Sequence, residues 1–374
     1  MNTAQIKLKN TPEQIELIKA MASPDTAKAD AARETFAEFI GPIILQVLNL
    51  ASMAGIIYED WPYNEDDMPS FPLDLFYGTS ANEVKVWQQN APGGLGSSLV
   101  AGLQELILQT YNLDTAVSIL EKTVRRGRLP YVAMALNRMS QELLLKQERN
   151  AWYIVLQALA QANTNSLAHA QLTDTNGSAT GLVQLDDFNN LITRTKRINV
   201  AFDKAGTPDV MYSKGATDAF MSPEKVAQIR AFAYQPMNTR SGAVTTSGAT
   251  SIALPDAIRQ EIFENAGLAE IYGVTIHEML EFGYSAKYNN IFIPIWNTAT
   301  SSSLTSANNE VIVAVDRTRK ACIRPIAQNS DNGATLIVKV DDQWPRRSGK
   351  LGWFGSLTEG RVVADARALT GLIC

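Results

Sequence analysis

Apolar positions recur at helical spacing most clearly in "LPYVAMALNRMSQELLLKQERNAWYIVLQALAQA", residues 129–162, where Val132, Leu136, Met139 and Leu143 are followed by Trp152, Val155, Leu156 and Leu159. Pro130 marks the entry, and about thirty residues then pass without Gly or Pro, beyond the usual length of a globular helix. Glu142 and Lys146 add a favourable i,i+4 pair on the polar side. The spacing predicts a long helix, a spine on which other elements pack. Upstream, "TPEQIELIKAM" carries a helix start: Thr11 as N-cap, Pro12 at the first helical position and Gln14 to close a capping box. "SPDTAKADAARETFAEFI" repeats the device with Ser23 and Pro24 and is expected to break at Gly41-Pro42, before a third helical run, "IILQVLNLASM", that reaches Met53. The first two are weakly amphipathic, through Ile15 and Ile18 on one and Phe36, Phe39 and Ile40 on the other, so they need a partner surface to be stable.

Period-two and β-branched runs punctuate the rest. "MPSFPLDLFYG" (68–78) and "NEVKVWQQN" (82–90), joined by the turn-forming "GTSA", predict two strands of a long projecting hairpin, and Pro69 and Pro72 bar the first from the middle of a sheet. Beyond the spine and a polar connector, "LDDFNNLITRTKRIN" reads as a helix capped by Asp186, "DVMYSK" as a strand, and "SPEKVAQIRAFA" as a helix opened by Ser-Pro-Glu. Residues 235–254 read as a small-residue loop. Ile271, Val274 and Ile276 gather around Gly273, "NIFIPIW" and "NEVIVAVDRTRKACIRPI" read as strong strands, and "ATLIVKVDDQWP" and "GRVVADARALTGLI" close the chain. With no internal repeat and no regular strand–helix alternation, the class is α+β.

Composition narrows the chemistry. A chain of 374 residues, 45% hydrophobic and 19% charged, suits a globular protein of two or three lobes. No run approaches the roughly 18 apolar residues of a membrane span, and "MNTAQIKLKN" has no apolar signal core. Cys322 and Cys374, the only cysteines, are too few for a disulfide framework and fit a reducing compartment. The Asn-Gly-Ser at Asn176 therefore reads as a turn. The net charge of -5 argues against a dedicated nucleic-acid binder.

The glycine-rich "QQNAPGGLGSSLV" (88–100) invites a nucleotide reading. A phosphate loop needs Lys and Ser or Thr after the last glycine, yet Gly96 is followed by Ser97, Ser98 and Leu99. As a dinucleotide fingerprint it fails at Leu99, where a third small residue belongs. A flexible return of the hairpin explains it better. His169 and His277 lack metal-ligand spacing, and Glu281 stands where a zinc-protease motif begun by His277-Glu278 would place its second histidine. No Gly-x-Ser-x-Gly elbow occurs. The acidic "YEDWPYNEDDM" (58–68) has no EF-hand spacing and reads as a solvated loop. The expectation is a non-enzyme with no catalytic, metal or cofactor-binding residue. Lys122, Arg125, Arg126 and Arg128 form a basic run before the spine. It reads first as a solvated loop or salt-bridge donor and second, with the "RTKR" of 194–197, as a phosphate contact.

The order of these parts resembles the major capsid protein of tailed bacteriophages, the HK97-type fold: helical arm, long hairpin, basic turn into a spine helix, mixed lobe with "SPEKVAQIRAF" and "EIYGVTIHE", and a returning β segment with "IVAVDRTRKACIRPI". The resemblance covers essentially the whole chain in architecture. It implies an N-terminal arm (1–57), an extended hairpin or E-loop (58–104) that reaches over an adjacent subunit, a peripheral domain (105–165 and 306–350), an axial domain (166–305) and a C-terminal segment (351–374). It also implies self-assembly into hexamers and pentamers of a head shell around double-stranded DNA, bound without sequence specificity, in a virion assembled in the bacterial cytoplasm. Portal, scaffold and decoration proteins are the further partners, and no membrane is involved. The N-terminal region is short for a cleavable scaffolding domain, which implies a separate scaffold protein. Candidate intersubunit contacts on this reading are Lys85, Trp87, Gly93, Gly94 and Gly96 of the hairpin and Arg125, Arg126 and Arg128 of the basic turn. The prototype's Lys-Asn cross-link does not carry over, since Lys85 has no identifiable Asn or Glu partner. The alternative within the fold is an encapsulin, a nanocompartment holding cargo enzymes. Outside it stand a hydrolase and a nucleic-acid binder.

Overall fold

The computed structural model describes residues 11–23, 25–72, 105–126, 129–162, 172–174, 182–183, 185–202, 215–231, 270–300, 303–330, 333–341 and 349–374. The chain forms two compact units, each built from three separated segments. The first takes Met1–Tyr77, Ala101–Ala151 and Ile323–Val362; the second takes Gly78–Val100, Trp152–Cys322 and Val363–Cys374.

In the first unit, helix α1 (Pro12–Met21) starts as its sequence predicts, with the Thr11 hydroxyl accepting from the Gln14 amide at 3.4 Å. The capping box is half closed, because the buried Gln14 Oε1 finds no partner among the described residues. Helix α2 (Thr26–Ala51) is capped by Asp25, whose carboxylate accepts from the Ala27 amide, rather than by Ser23, which instead accepts from the Asp25 amide. The expected break at Gly41-Pro42 does not occur. Phe36, Ile40, Ile44 and Leu48 form an unbroken buried stripe at i,i+4 spacing across it, and that burial outweighs the roughly 3 kcal/mol a mid-helix proline costs. The third helical run is thus the second half of α2.

Strands β1 (Glu59–Asn64), β2 (Ser70–Pro72), β3 (Glu105–Ile107) and β4 (Tyr111–Leu120) follow, then the short α3 (Glu121–Arg125) and the long α4 (Leu129–Ala162). The acidic stretch is therefore not all loop: β1 pairs in parallel with a late strand. The spine helix has the predicted bounds, and its residues to Ala151 belong to the first unit.

The second unit contains the rest of α4, β5 (Leu172–Asp174), α5 (Leu185–Phe202), β6 (Asp218–Met221), α6 (Pro223–Ala231), the hairpin β7 (Glu270–Ile271) and β8 (Val274–Glu278), α7 (Lys287–Thr300) and β9 (Val311–Val315). Asp186 lies inside the first turn of α5 rather than at its cap, where its charge still suits the helix N-terminus. Ser222 caps α6 as predicted, accepting from the Lys225 amide. The β7–β8 turn holds Tyr272 and Gly273 at φ 54° and 78°, the two positive values that a tight type I′ hairpin requires. "NIFIPIW" is helical, not a strand. Tyr288, Phe292 and Trp296 recur every fourth residue on its buried side, a 3.6-residue period that its β-branched content masks.

Strands β10 (Cys322–Gln328), β11 (Leu336–Asp341), β12 (Lys350–Glu359), β13 (Val362–Val363) and β14 (Leu369–Ile373) complete the chain. In the first unit β12 pairs antiparallel with β4 over ten residues, from Tyr111 opposite Glu359 to Leu120 opposite Lys350, and on its other side with β11. Ile326 of β10 faces Glu359, and β1 runs beside β10. The sheet and helices enclose Phe36, Ile40, Leu136, Met139, Leu143, Trp353 and Leu357. The second unit's sheet has the order β5-β14-β9-β6-β8-β7 and its core gathers Phe188, Leu191, Met221, Ile276, Ile312 and Leu372.

Candidate functional site

Buried charge is concentrated at one place in the first unit. Glu359 closes β12 with a fully buried side chain. Its Oε2 accepts from Arg324 Nε at 2.8 Å, Gln147 Nε2 at 3.1 Å and Arg361 Nη2 at 3.2 Å, and its Oε1 accepts from the Tyr111 hydroxyl at 3.3 Å. Asp60 on β1 stands opposite Arg324 in the β1–β10 register and lies 3.3 Å from the same guanidinium. Arg361 lies over the Tyr58 ring at 4.9 Å, and the Tyr58 hydroxyl donates to the Ala151 carbonyl. Burial, then the Glu359 charge, raises the Tyr111 pKa. A carboxylate so filled with donors is a poor base. It ties β1, β4, β10, β12 and α4 together.

The second unit carries three further polar groups. Lys225 Nζ reaches Glu310 Oε1 at 3.1 Å with both side chains buried, and donates to the Tyr284 hydroxyl at 3.2 Å. Arg319 and Arg367 both hold Asp365. Asp218 Oδ1 lies 2.8 Å from His277 Nε2, its Oδ2 accepts from the Thr217 hydroxyl at 2.7 Å, and Arg317 stands 3.8 Å away. Burial pushes the Asp218 carboxyl up, but the hydrogen bonds from His277 and Thr217 and the Arg317 charge outweigh it and leave its pKa below the ordinary value. The His277 ring stacks on Phe220 at 4.8 Å, and among the described residues no hydroxyl or thiol is hydrogen-bonded to it. The Asp218–His277 contact joins β6 to β8. Among the described residues no group of three or more His, Cys, Asp or Glu is placed to hold a metal ion, and no helix is long and apolar enough to cross a membrane.

The surface of the first unit is more suggestive. The side chain of Arg125 is 58% exposed and pairs with Glu121 one turn earlier on α3, at 2.7 Å. Arg126 caps α3 and is exposed, as is Lys122. Leu120, just before α3, and Tyr131 and Met134, in the first two turns of α4, are exposed. Elsewhere in the same unit, Met68 (81%) and Ile107 (65%) stand out from the β2–β3 ribbon next to exposed Glu65, Asp66 and Asp67. Lys85, Trp87, Gly93, Gly94, Gly96 and Arg128 lie outside the described residues, as do His169, Asn176, "DVMYSK" and the 235–254 loop. The Glu359 and Lys225 groups escape a motif search, although a lone arginine inside the apolar "CIRPI" is a visible trace of the first.

No protein-family model matches the chain, and no curated protein matches it in sequence. Among solved structures, the holo-SrpI encapsulin complex from Synechococcus elongatus PCC 7942 is similar at 14% identity over 85% of each chain, with a TM-score of 0.44. The capsid of the cyanophage P-SCSP1u is similar at 11% identity over 84% of this chain and 86% of that one, with a TM-score of 0.47. The capsid of an empty GTA particle is similar at 10% identity over 85% of this chain and 88% of that one, with a TM-score of 0.49. The α+β chain is thus similar over most of its length to capsid and encapsulin shell structures.

Proposed function

We propose that the chain is a shell subunit, the major capsid protein of a tailed bacteriophage with the HK97-type fold. Copies associate into hexamers and pentamers of an icosahedral or elongated head that encloses double-stranded DNA without reading its sequence. Portal, scaffold and decoration proteins are its further partners, and the virion is its destination. The observation that carries this reading is the β2–β3 ribbon. Ser70–Pro72 pairs antiparallel with Glu105–Ile107, which brings positions 72 and 105 together, and the chain then enters β4 and the 34-residue α4. A paired stem followed by the spine helix supports the hairpin-then-spine order that the resemblance implies. On this assignment residues 105–165 and 306–350 make up the peripheral domain and residues 166–305 the axial domain.

Negative-stain electron microscopy of the purified chain, with sedimentation and the ultraviolet absorbance ratio on the same sample, tests it. Closed shells, or rings of five and six, are expected. A chain that stays monomeric, alone and with its scaffold, overturns the reading. A shell from the native host that carries protein cargo and no nucleic acid converts it to the compartment alternative.

A further inference from the structure

Basic residues that lie far apart in the sequence meet at one end of the second unit's sheet. The turn after β9 carries Arg317 and Lys320, and Lys196 comes from α5. The Thr195 hydroxyl lies 2.8 Å from that of Thr370 on β14, and Thr370 stands opposite Ala314, so α5 is seated beside the last residues of β9. Next along α5, Lys196 lays its methylenes on Gly215, where a Cβ would meet Lys196 Cε at 2.9 Å. Two residues on, the Thr217 hydroxyl accepts from the Arg317 amide at 3.1 Å, and the Thr217 amide donates to the Val315 carbonyl. Gly215 and Thr217 are at most about 7 Å apart along the chain, so the Lys196 and Arg317 stems flank one short segment. Lys320, at φ 50°, donates its amide to the Arg317 carbonyl and so stays beside it.

Charge is sorted by depth at this end. Asp218, Asp316 and Asp365 are buried, and each is engaged from within: Asp218 by His277 and Thr217, Asp316 by the Thr318 amide, Asp365 by Arg319 and Arg367. Lys196 and Lys320 are exposed, and the Arg317 side chain is 51% exposed, 3.8 Å from Asp218. The exposed Glu270 stands two strands from Asp218, about 10 Å away. The basic turn of the first unit differs, because Arg125 there has Glu121 at 2.7 Å. In a chain of net charge -5, the end of this sheet is a local positive surface.

Resting on the shell reading above, we infer that the surface of Lys196, Arg317 and Lys320 is where the second unit meets the phosphate backbone of double-stranded DNA. Three cations on separate stems suit phosphates that recur along a strand. Such contacts hold a duplex in place without reading its bases. Their free energy comes largely from counterions released as phosphates are neutralised, so the contact weakens steeply with salt.

The test titrates unassembled full-length subunits against a labelled mixed-sequence duplex of about 20 base pairs, by fluorescence anisotropy at a series of salt concentrations. K196Q/R317Q/K320Q removes the three charges and keeps most of each stem. K122Q/R125Q/R126Q removes as many from the first unit and controls for net charge. Both are checked for native melting. The wild type is expected to bind with an affinity that falls linearly with salt on logarithmic axes. K196Q/R317Q/K320Q is expected to bind about tenfold or more weakly, with a slope reduced by about 2 to 3, and the control to bind like the wild type. Equal binding by K196Q/R317Q/K320Q and the wild type, an equal loss in the control, or a wild type that ignores the duplex overturns the assignment. So does displacement of the duplex by poly-L-glutamate as readily as by unlabelled DNA of the same charge, which marks an acidic protein as the partner. Assembly is scored separately by electron microscopy: shells that form from subunits failing the titration leave the shell reading standing, and a wild type that never assembles removes that reading.

Discussion

The Arg324 guanidinium meets the buried Glu359 carboxylate at 2.8 Å, with the two side chains 9% and 0% exposed. Such a pair contributes modestly when intact but is costly to break from one side, because the survivor is left charged and desolvated. Arg324→Met is therefore expected to lower the stability of the subunit by roughly 3–5 kcal/mol. Denaturant unfolding of unassembled subunits measures it, and a loss below about 1 kcal/mol would show that water reaches the site.

The Asp218 carboxyl should govern part of the acid sensitivity of the second unit. Its folded pKa lies below the ordinary value, so the unfolded chain takes up the proton first as pH falls. The stabilisation is present above the unfolded carboxylate pKa of about 3.9 and is lost as pH falls through the lower folded value. Melting temperatures recorded from pH 6 downward, about the range in which carboxylates titrate, are expected to drop less steeply for Asp218→Asn than for the wild type.

At Gly360 the chain has no room for a side chain. A Cβ there would collide with the Gln109 carbonyl oxygen and come within 2.8 Å of the Pro325 ring. The Gly360 amide also donates to the Pro325 carbonyl at 2.9 Å, which holds the backbone in place. Gly360→Ala is expected to cost about 1–3 kcal/mol, read as a fall in melting temperature.

Both cysteines are buried, and burial, then the Asp365 charge, pushes the Cys322 thiol up to about 12. The thiolate is the reactive form. A disulfide-exchange reagent is expected to label neither residue in the native subunit and both after unfolding, so labelling rate reports opening of the second unit. Prompt labelling at neutral pH would place a thiol at the surface.

Long-range packing decided which local signals survived. The 34-residue helix is legible because Val132, Leu136 and Met139 repeat without interruption, and the Ser222 and Thr11 caps because one side chain and one amide suffice. Gly41-Pro42 misleads because its breaking effect is local, whereas Ile40 and Ile44 are held by contacts with late strands. The α7 segment misleads because Ile and Phe fit a strand equally well until Tyr288, Phe292 and Trp296 are seen to share a buried side. Of the Glu359 group only the lone Arg324 inside "CIRPI" left a trace: Tyr111, Gln147, Arg324 and Glu359 come from four parts of the chain, and only the fold brings them together.

The pairing of β1 with β10 also has a bearing on timing. Asp60 and its partner Arg324 are 264 positions apart, so the early strand waits for most of the chain to be synthesised before it finds its neighbour. A nascent chain therefore cannot complete this sheet until β10 has left the ribosome, and until then β1 has no neighbour to pair with.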